Sequence, residues 1–311
     1  MFRLLPIIFS LILVFGSIVL IVMEKKERIN TIEKEMTIDL MPFSRQPRCG
    51  VLPKFLTKLN ISNPILIDLS QKQFKGIALR YGGNYAQTLH PKGWQKYDNF
   101  STYVSDEQGN IYLIPTPYIS IKPNTFDLQK SIYKLDSITG KLTPFMFLDD
   151  VKPSSKNPYG LSAIAYDCED ESLWLAAIDE SDYDNEKGVI YHIDLNNKSI
   201  LQRVKGIDVL SMKIVHGKKT KFLLVGSARY NSLFAYSISN GNLSTKGKKI
   251  LELPSANEHI RKIKIQGRKQ LQLQSIPFGY SLIAQTDNKY RSQYEAIWLG
   301  EKRGWKVNRI Q

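Results

Sequence analysis

The residues of this sequence best suited to chemistry stand in one acidic stretch, Ile178-Asp-Glu-Ser-Asp-Tyr-Asp-Asn-Glu-Lys-Gly188. Asp179, Asp182 and Asp184 place three carboxylates close together in a chain whose net charge is +14. Hard divalent cations take oxygen ligands, so these three are the candidate metal ligands, and Ca2+ or another divalent ion is the candidate cofactor. The spacing Asp182, Asp184, Glu186, Gly188 departs from the Asp-x-Asp-x-Asp-Gly calcium loop. A solvated acidic loop is the plainer reading.

Other chemistries lack their residues. The chain has 2 cysteines and 4 histidines with no Cys-x-x-Cys pair, which argues against a zinc site. Gly226-Ser227-Ala228 lacks the flanks of a nucleophile elbow. His192 lies within Ile190-Tyr-His-Ile-Asp, a strand pattern in which a structural histidine is expected. Neither a phosphate loop nor a dinucleotide fingerprint is present, and no catalytic residue is assigned. Contact with a polar or anionic ligand falls to aromatic and basic residues in loops: Tyr118, Tyr183, Arg229, Tyr230 and Arg291.

The excess of 43 Lys and Arg over 29 Asp and Glu points to an anionic neighbour. Basic residues gather late, at Lys246, Lys248 and Lys249, at Arg261, Lys262, Lys264, Arg268 and Lys269, and at Lys302 and Arg303. In Ile260-Arg-Lys-Ile-Lys-Ile the alternation predicts an outward, solvated strand face. The expected partners are an anionic envelope polymer, a small ligand or a protein. Nucleic acid is not expected at a membrane-tethered domain.

The elements that would position these residues are strands. Short runs rich in Val, Ile, Tyr, Phe and Trp are bounded by Gly, Asn, Asp and Pro. They recur in one order, strand, strand, loop, strand, turn, strand. Tyr103 to Leu142, Leu161 to Val204, Leu210 to Leu243 and Leu271 to Val307 each follow it, and a shorter relic runs from Ile65 to Trp94. A lone four-stranded sheet cannot bury both faces, whereas sheets arranged around an axis bury each against the next. The expected fold is an all-β propeller of five or six four-stranded blades over residues 51–311. A β-sandwich would account for the strands but not for their repeated order.

Three phrases carry a family resemblance: Asp106-Glu-Gln-Gly-Asn-Ile-Tyr-Leu, Ile132-Tyr-Lys-Leu-Asp-Ser-Ile-Thr-Gly-Lys-Leu, and Pro158-Tyr-Gly-Leu followed by Leu173-Trp-Leu-Ala-Ala-Ile-Asp. With them, roughly residues 60–311 resemble the six-bladed propeller families, the NHL, TolB-like and SMP-30/gluconolactonase-like groups. The last resemblance implies a metal-dependent lactonase or hydrolase as the alternative to a ligand- or protein-binding module. It would place a metal ligand at Asp179, and it puts Tyr159 where the family has an asparagine ligand.

Ahead of the repeats, Leu4 to Met23 holds no charged residue, and at about 1.5 Å per helical residue it is long enough to cross a bilayer. It is expected to be a transmembrane anchor or uncleaved signal (1–23), followed by a charged tether (24–50). Lys25, Lys26, Arg28 and Lys34 follow the span, against Arg3 and the amino terminus before it, which by the positive-inside count favours a cytoplasmic domain. Arg3 running directly into the apolar segment is how an export signal begins, and on that pattern the domain is expected outside the cytoplasm. Cys49 and Cys168 then either pair, as an oxidising compartment allows, or remain two thiols.

Overall fold

The computed structural model describes residues 39–47, 49–69, 75–97, 99–116, 126–281 and 291–311. The apolar segment 4–23 and Tyr118 lie outside the described residues. Among the described residues no helix is long and apolar enough to cross a membrane.

Five antiparallel sheets follow one another along the chain. The first holds three strands, β1 (Ile65–Asp68), β2 (Ala78–Tyr81) and β3 (Gln87–Leu89). The second holds β4 (Phe100–Ser105), β5 (Ile111–Pro115), β6 (Ser131–Leu135) and β7 (Leu142–Phe147). The third holds β8 (Leu161–Asp167), β9 (Ser172–Ala177), β10 (Val189–Asp194) and β11 (Ser199–Lys205). In the fourth, β12 (Val209–His216), β13 (Lys221–Ser227) and β14 (Ser232–Ser239) are completed by β15 (Asn242–Leu243) and β16 (Lys248–Glu252), which both pair with β14. The fifth holds β17 (His259–Gly267), β18 (Gln270–Ile276), β19 (Ser292–Trp298) and β20 (Trp305–Arg309). Two four-residue helices, α1 (Phe55–Lys58) and α2 (Lys92–Gln95), flank the first sheet.

The chain is thus a β-propeller of five blades, not of six as the family resemblance implies. The four strand–turn repeats give four of the sheets, and the relic at Ile65 to Trp94 gives the fifth. Its last segment is the helix α2 rather than a strand, so Trp94 enters the core from a helix.

Apolar side chains fill the seams between sheets, as a stack of two-faced sheets requires. Strand β9, Ser-Leu-Trp-Leu-Ala-Ala, is buried at all six positions. Leu173, Leu175 and Ala177 face the seam with the second sheet, while Trp174 and Ala176 face the seam with the fourth. At about 25 cal/mol per Å² of apolar surface, such doubly buried strands supply much of the folding free energy. His192 stacks on Trp174 with ring centroids 4.0 Å apart and 3° between planes, and its Nε2 pairs with Ser172 Oγ at 2.9 Å. Burial holds its pKa below 6.5, so it is a neutral core residue, as its strand position predicts.

The phrases behind the family resemblance are turn locks. Asp106 Oδ1 accepts the backbone N–H groups of Gln108 (3.0 Å) and Asn110 (2.7 Å), with Gly109 at φ +84°. Asp136 accepts Ile138 N–H at 3.1 Å and Thr139 N–H at 2.8 Å, ahead of Gly140 at φ +64°. Asp194 does the same with Asn196 at 2.7 Å and Asn197 at 3.2 Å. Any blade hairpin needs this device, and so the phrases carry fold rather than activity.

The tether predicted for 24–50 does not extend over its last residues. From Asp39 the chain is a strap across the end of the propeller that carries the β4–β5, β8–β9, β12–β13 and β17–β18 turns. Leu40, Met41 and Phe43 are buried between the fourth and fifth sheets. Phe43 N–H donates to Arg268 O (2.9 Å), Ser44 N–H to His216 O (2.9 Å), and His216 N–H to Gln46 Oε1 (2.8 Å). Cys49 is disulfide-bonded to Cys168, with Cα atoms 5.6 Å apart. Val51 N–H reaches Asp106 O (3.2 Å) and Phe55 N–H reaches Ser137 O (2.8 Å). The strap therefore meets the sheets in reverse chain order. It passes so close to the second sheet that a Cβ on Gly50 would lie 2.3 Å from Ser105 Oγ.

Candidate functional site

Two polar regions lie along the propeller axis. Strands β4, β8, β12 and β17 begin their sheets and stand next to one another around that axis. They enclose a cavity of about 480 Å³, with Gln46, Pro47, Cys49 and Gly50 of the strap in its wall. The opposite mouth is bordered by the loops that join the second and third strands of each sheet.

The mouth is organised by Asp208, which has no solvent exposure. Its carboxylate accepts Ser181 Oγ–H at 2.5 Å, Gly188 N–H at 2.8 Å and the Tyr280 hydroxyl, and it pairs with Arg229 Nη2 at 3.4 Å. Arg229 also donates to Tyr183 O (2.9 Å) and Asp182 O (2.6 Å), so its outer nitrogens are spent on holding the 178–188 loop. Asp208 N–H donates to Glu186 Oε1 at 2.9 Å. Burial, and then the Asp208 charge, pushes the Glu186 pKa up. The Tyr280 hydroxyl is raised as well, first by burial and then by its bond to Asp208. Around this hub, Tyr183 meets Tyr280 edge-on at 5.6 Å, Tyr280 meets Phe278 at 5.4 Å, and Phe278 meets Tyr159 at 5.3 Å. Tyr183 and Tyr230 remain 62% and 50% exposed.

The three candidate metal ligands are not brought together. Asp179 Oδ2 accepts Lys152 N–H at 2.7 Å, and burial raises its pKa. Asp182 Oδ1 accepts Asp184 N–H (2.9 Å) and Asn185 N–H (2.7 Å), closing its own turn. Asp184 is exposed. Among the described residues no three His, Cys, Asp or Glu side chains come close enough to hold an ion. The asparagine beside the family's ligand position is also engaged, since Asn157 Nδ2 donates to Ile178 O (2.5 Å) and Ser181 O (2.8 Å). The Tyr159 ring packs on Phe278.

The cavity below the mouth has a different character, and sequence reasoning missed it. Lys213, Arg261, Lys262 and Lys264 lie in its wall, and among the described residues the one carboxylate there is Asp167. Asp167 is 2% exposed and is held by Lys221 Nζ at 2.6 Å. Arg261 spans the axis, donating from Nη1 to Leu210 O (3.1 Å) and from Nη2 to Ser101 O (3.2 Å). Burial, and then the Arg291 charge, lowers its pKa to about 10, which leaves it charged at neutral pH. The Lys262 pKa is lowered by burial first and then by Arg261 and Arg291. That of Lys213 is lowered by burial. Among the described residues, Lys213, Lys262 and Lys264 form no ion pair. The stretch Ile260 to Ile265 is thus the first strand of its sheet and faces the axis, where its alternation had predicted an outward face. The repeat read from Leu271 begins one strand late, because Leu271 lies in the second strand, whereas Tyr294 and Trp305 lie in the third and fourth as expected.

No family model and no curated protein matches the sequence. Similar solved structures include hydrazine synthase of Kuenenia stuttgartiensis, at 10% identity and TM-score 0.44 over 79% of this chain and 80% of that one. An exo-β-1,3-galactanase of Phanerochaete chrysosporium with β-1,3-galactotriose has 12% identity and TM-score 0.43 over 77% of this chain and 57% of that one. YCF48 of Cyanidioschyzon merolae has 14% identity and TM-score 0.35 over 57% of this chain and 48% of that one. At these identities activity, substrate and partners are left unassigned by likeness.

Proposed function

We propose that this chain is a non-enzymatic binding module that takes a small ligand into the central cavity of an extracytoplasmic propeller, with segment 4–23 as its membrane anchor. The observation that carries this reading is the cavity itself. Its volume of about 480 Å³ lies within the range of ligand sites, and most of its wall comes from the strands β4, β8, β12 and β17. The strap contributes Gln46, Pro47, Cys49 and Gly50 to one end of the cavity wall. The Cys49–Cys168 disulfide supports a location in an oxidising compartment.

The test uses the full chain in detergent micelles. A thermal-shift screen of small envelope components should find a ligand that raises Tm by linkage. Thr102→Trp, which places an indole in the cavity wall, should abolish that shift while leaving the unliganded protein folded. A shift retained in Thr102→Trp would move the binding site elsewhere. Protease added to intact cells should digest the propeller, and protection would place it in the cytoplasm.

A further inference from the structure

We propose that the cavity is a site for a small, multiply charged anion of the phosphate or carboxylate kind, with Lys213, Arg261, Lys262 and Lys264 as its ligands. This rests on the reading of the cavity as the binding site and specifies what it binds.

The argument begins with where these cations stand. A chain that needs lysine only for solubility can place it on outer strands, as Lys248, Lys249 and Lys306 are placed here. Lys213, Lys262 and Lys264 instead sit on β12 and β17, the strands that enclose the cavity. All three are exposed to cavity water, and Lys262 faces the like charges of Arg261 and Arg291, a repulsion that the neighbouring protein strengthens relative to bulk water. Asp167, the nearby carboxylate, cannot relieve it. Lys221 holds it at 2.6 Å, and Lys221 is itself shared with Glu169 at 3.0 Å. Asp208 at the mouth, by contrast, has four partners. The cavity wall carries three ammonium groups without ion partners among the described residues.

Ligand chemistry follows from the donors. Two bonds of Arg261 go to the carbonyls of Leu210 and Ser101, which fixes its guanidinium across the axis and leaves other N–H groups for an acceptor. Three ammonium groups add point charges suited to phosphate or carboxylate oxygens. Thr102 and Ser105 add hydroxyls to the same wall. Arg291, exposed and within electrostatic range of both Arg261 and Lys262, adds to the positive potential there. With the strap across the far end, a long polyanion can offer only its terminus, while a small anion fits whole.

The experiment is calorimetric titration of the full chain in detergent with inorganic pyrophosphate, citrate, long-chain polyphosphate and cellobiose, the last a neutral probe of comparable size. Pyrophosphate or citrate should bind at one site per chain, with affinity falling as salt rises from about 50 to 200 mM. Lys213→Gln and Lys262→Gln should each weaken binding about tenfold, and Lys306→Gln on the outer strand should leave it unchanged. Polyphosphate that competes with pyrophosphate for the single site identifies a chain end as an alternative source of the same chemistry. Multiple sites unaffected by the cavity variants would mean surface attraction and would overturn the proposal. Cellobiose binding without any anion binding would overturn it too, while leaving the cavity a ligand site. Silence from every probe would remove the anion site as well.

Discussion

The mouth and the cavity treat charge in opposite ways. At the mouth, Asp208 is out of contact with water and receives bonds from Ser181, Gly188 and Tyr280 beside an ion pair with Arg229. In the cavity, Lys213, Lys262 and Lys264 stand without ion partners among the described residues. A saturated buried charge has nothing left to offer a ligand and does structural work by tying three loops together. An unsaturated enclosed charge stabilises nothing in the free protein and gains when an opposite charge arrives. The most conspicuous polar cluster is therefore the scaffold, and the quieter one is the candidate site.

The comparison is broken most severely at its saturated side. Asp208→Ala strands the Arg229 guanidinium and the hydroxyls of Ser181 and Tyr280, and should cost about 3–5 kcal/mol in urea unfolding. A loss under about 1 kcal/mol would show the hub to be incidental. Opening the strap should matter less. Cys49→Ser is expected to lower stability by about 2–4 kcal/mol. Leu40 and Phe43 stay buried at one end of the strap and Leu56 at the other, so the fold should survive, as circular dichroism can verify. The smallest effect belongs to the unsaturated side. Lys262→Gln without ligand should leave stability within about 0.5 kcal/mol, with any change a gain, because a repulsive neighbour of Arg261 is removed. A loss of more than about 1 kcal/mol would reveal a partner for Lys262 and erase the contrast between the two regions.

Much of the scaffold was legible in the sequence. Asp106, Asp136 and Asp194 announce hairpins because their side chains must cap the following backbone N–H groups, and local chemistry of that kind survives in one dimension. The doubly apolar run Leu173 to Ile178 announces a strand buried on both faces. What was not legible depends on which empty space a strand faces. Ile260-Arg-Lys-Ile-Lys-Ile reads as half-wet in any setting, and alternation cannot distinguish bulk solvent from a water-filled axis. Asp208 gave no signal, since Gly206-Ile-Asp-Val holds one acid and its partners come from 20 to 72 residues away. The acidic loop drew attention through its density of carboxylates, yet Asp182 uses its own on two backbone N–H groups next door. Leu40-Met-Pro-Phe is too short for any periodicity to mark it as core.

The strap also sets an order of events in folding. Leu40, Met41 and Phe43 precede every sheet in the chain, yet their burial partners Phe222, Ile260 and Tyr294 lie in the fourth and fifth sheets. During synthesis or export the segment emerges first and has nowhere to dock until almost the whole chain has followed. Its apolar side chains remain uncovered through that interval, and loop closure over such separations is slow. A chain cut short before β17 would keep the fourth-sheet side of this cluster and lose the fifth-sheet side, so full burial of the strap depends on the last blade.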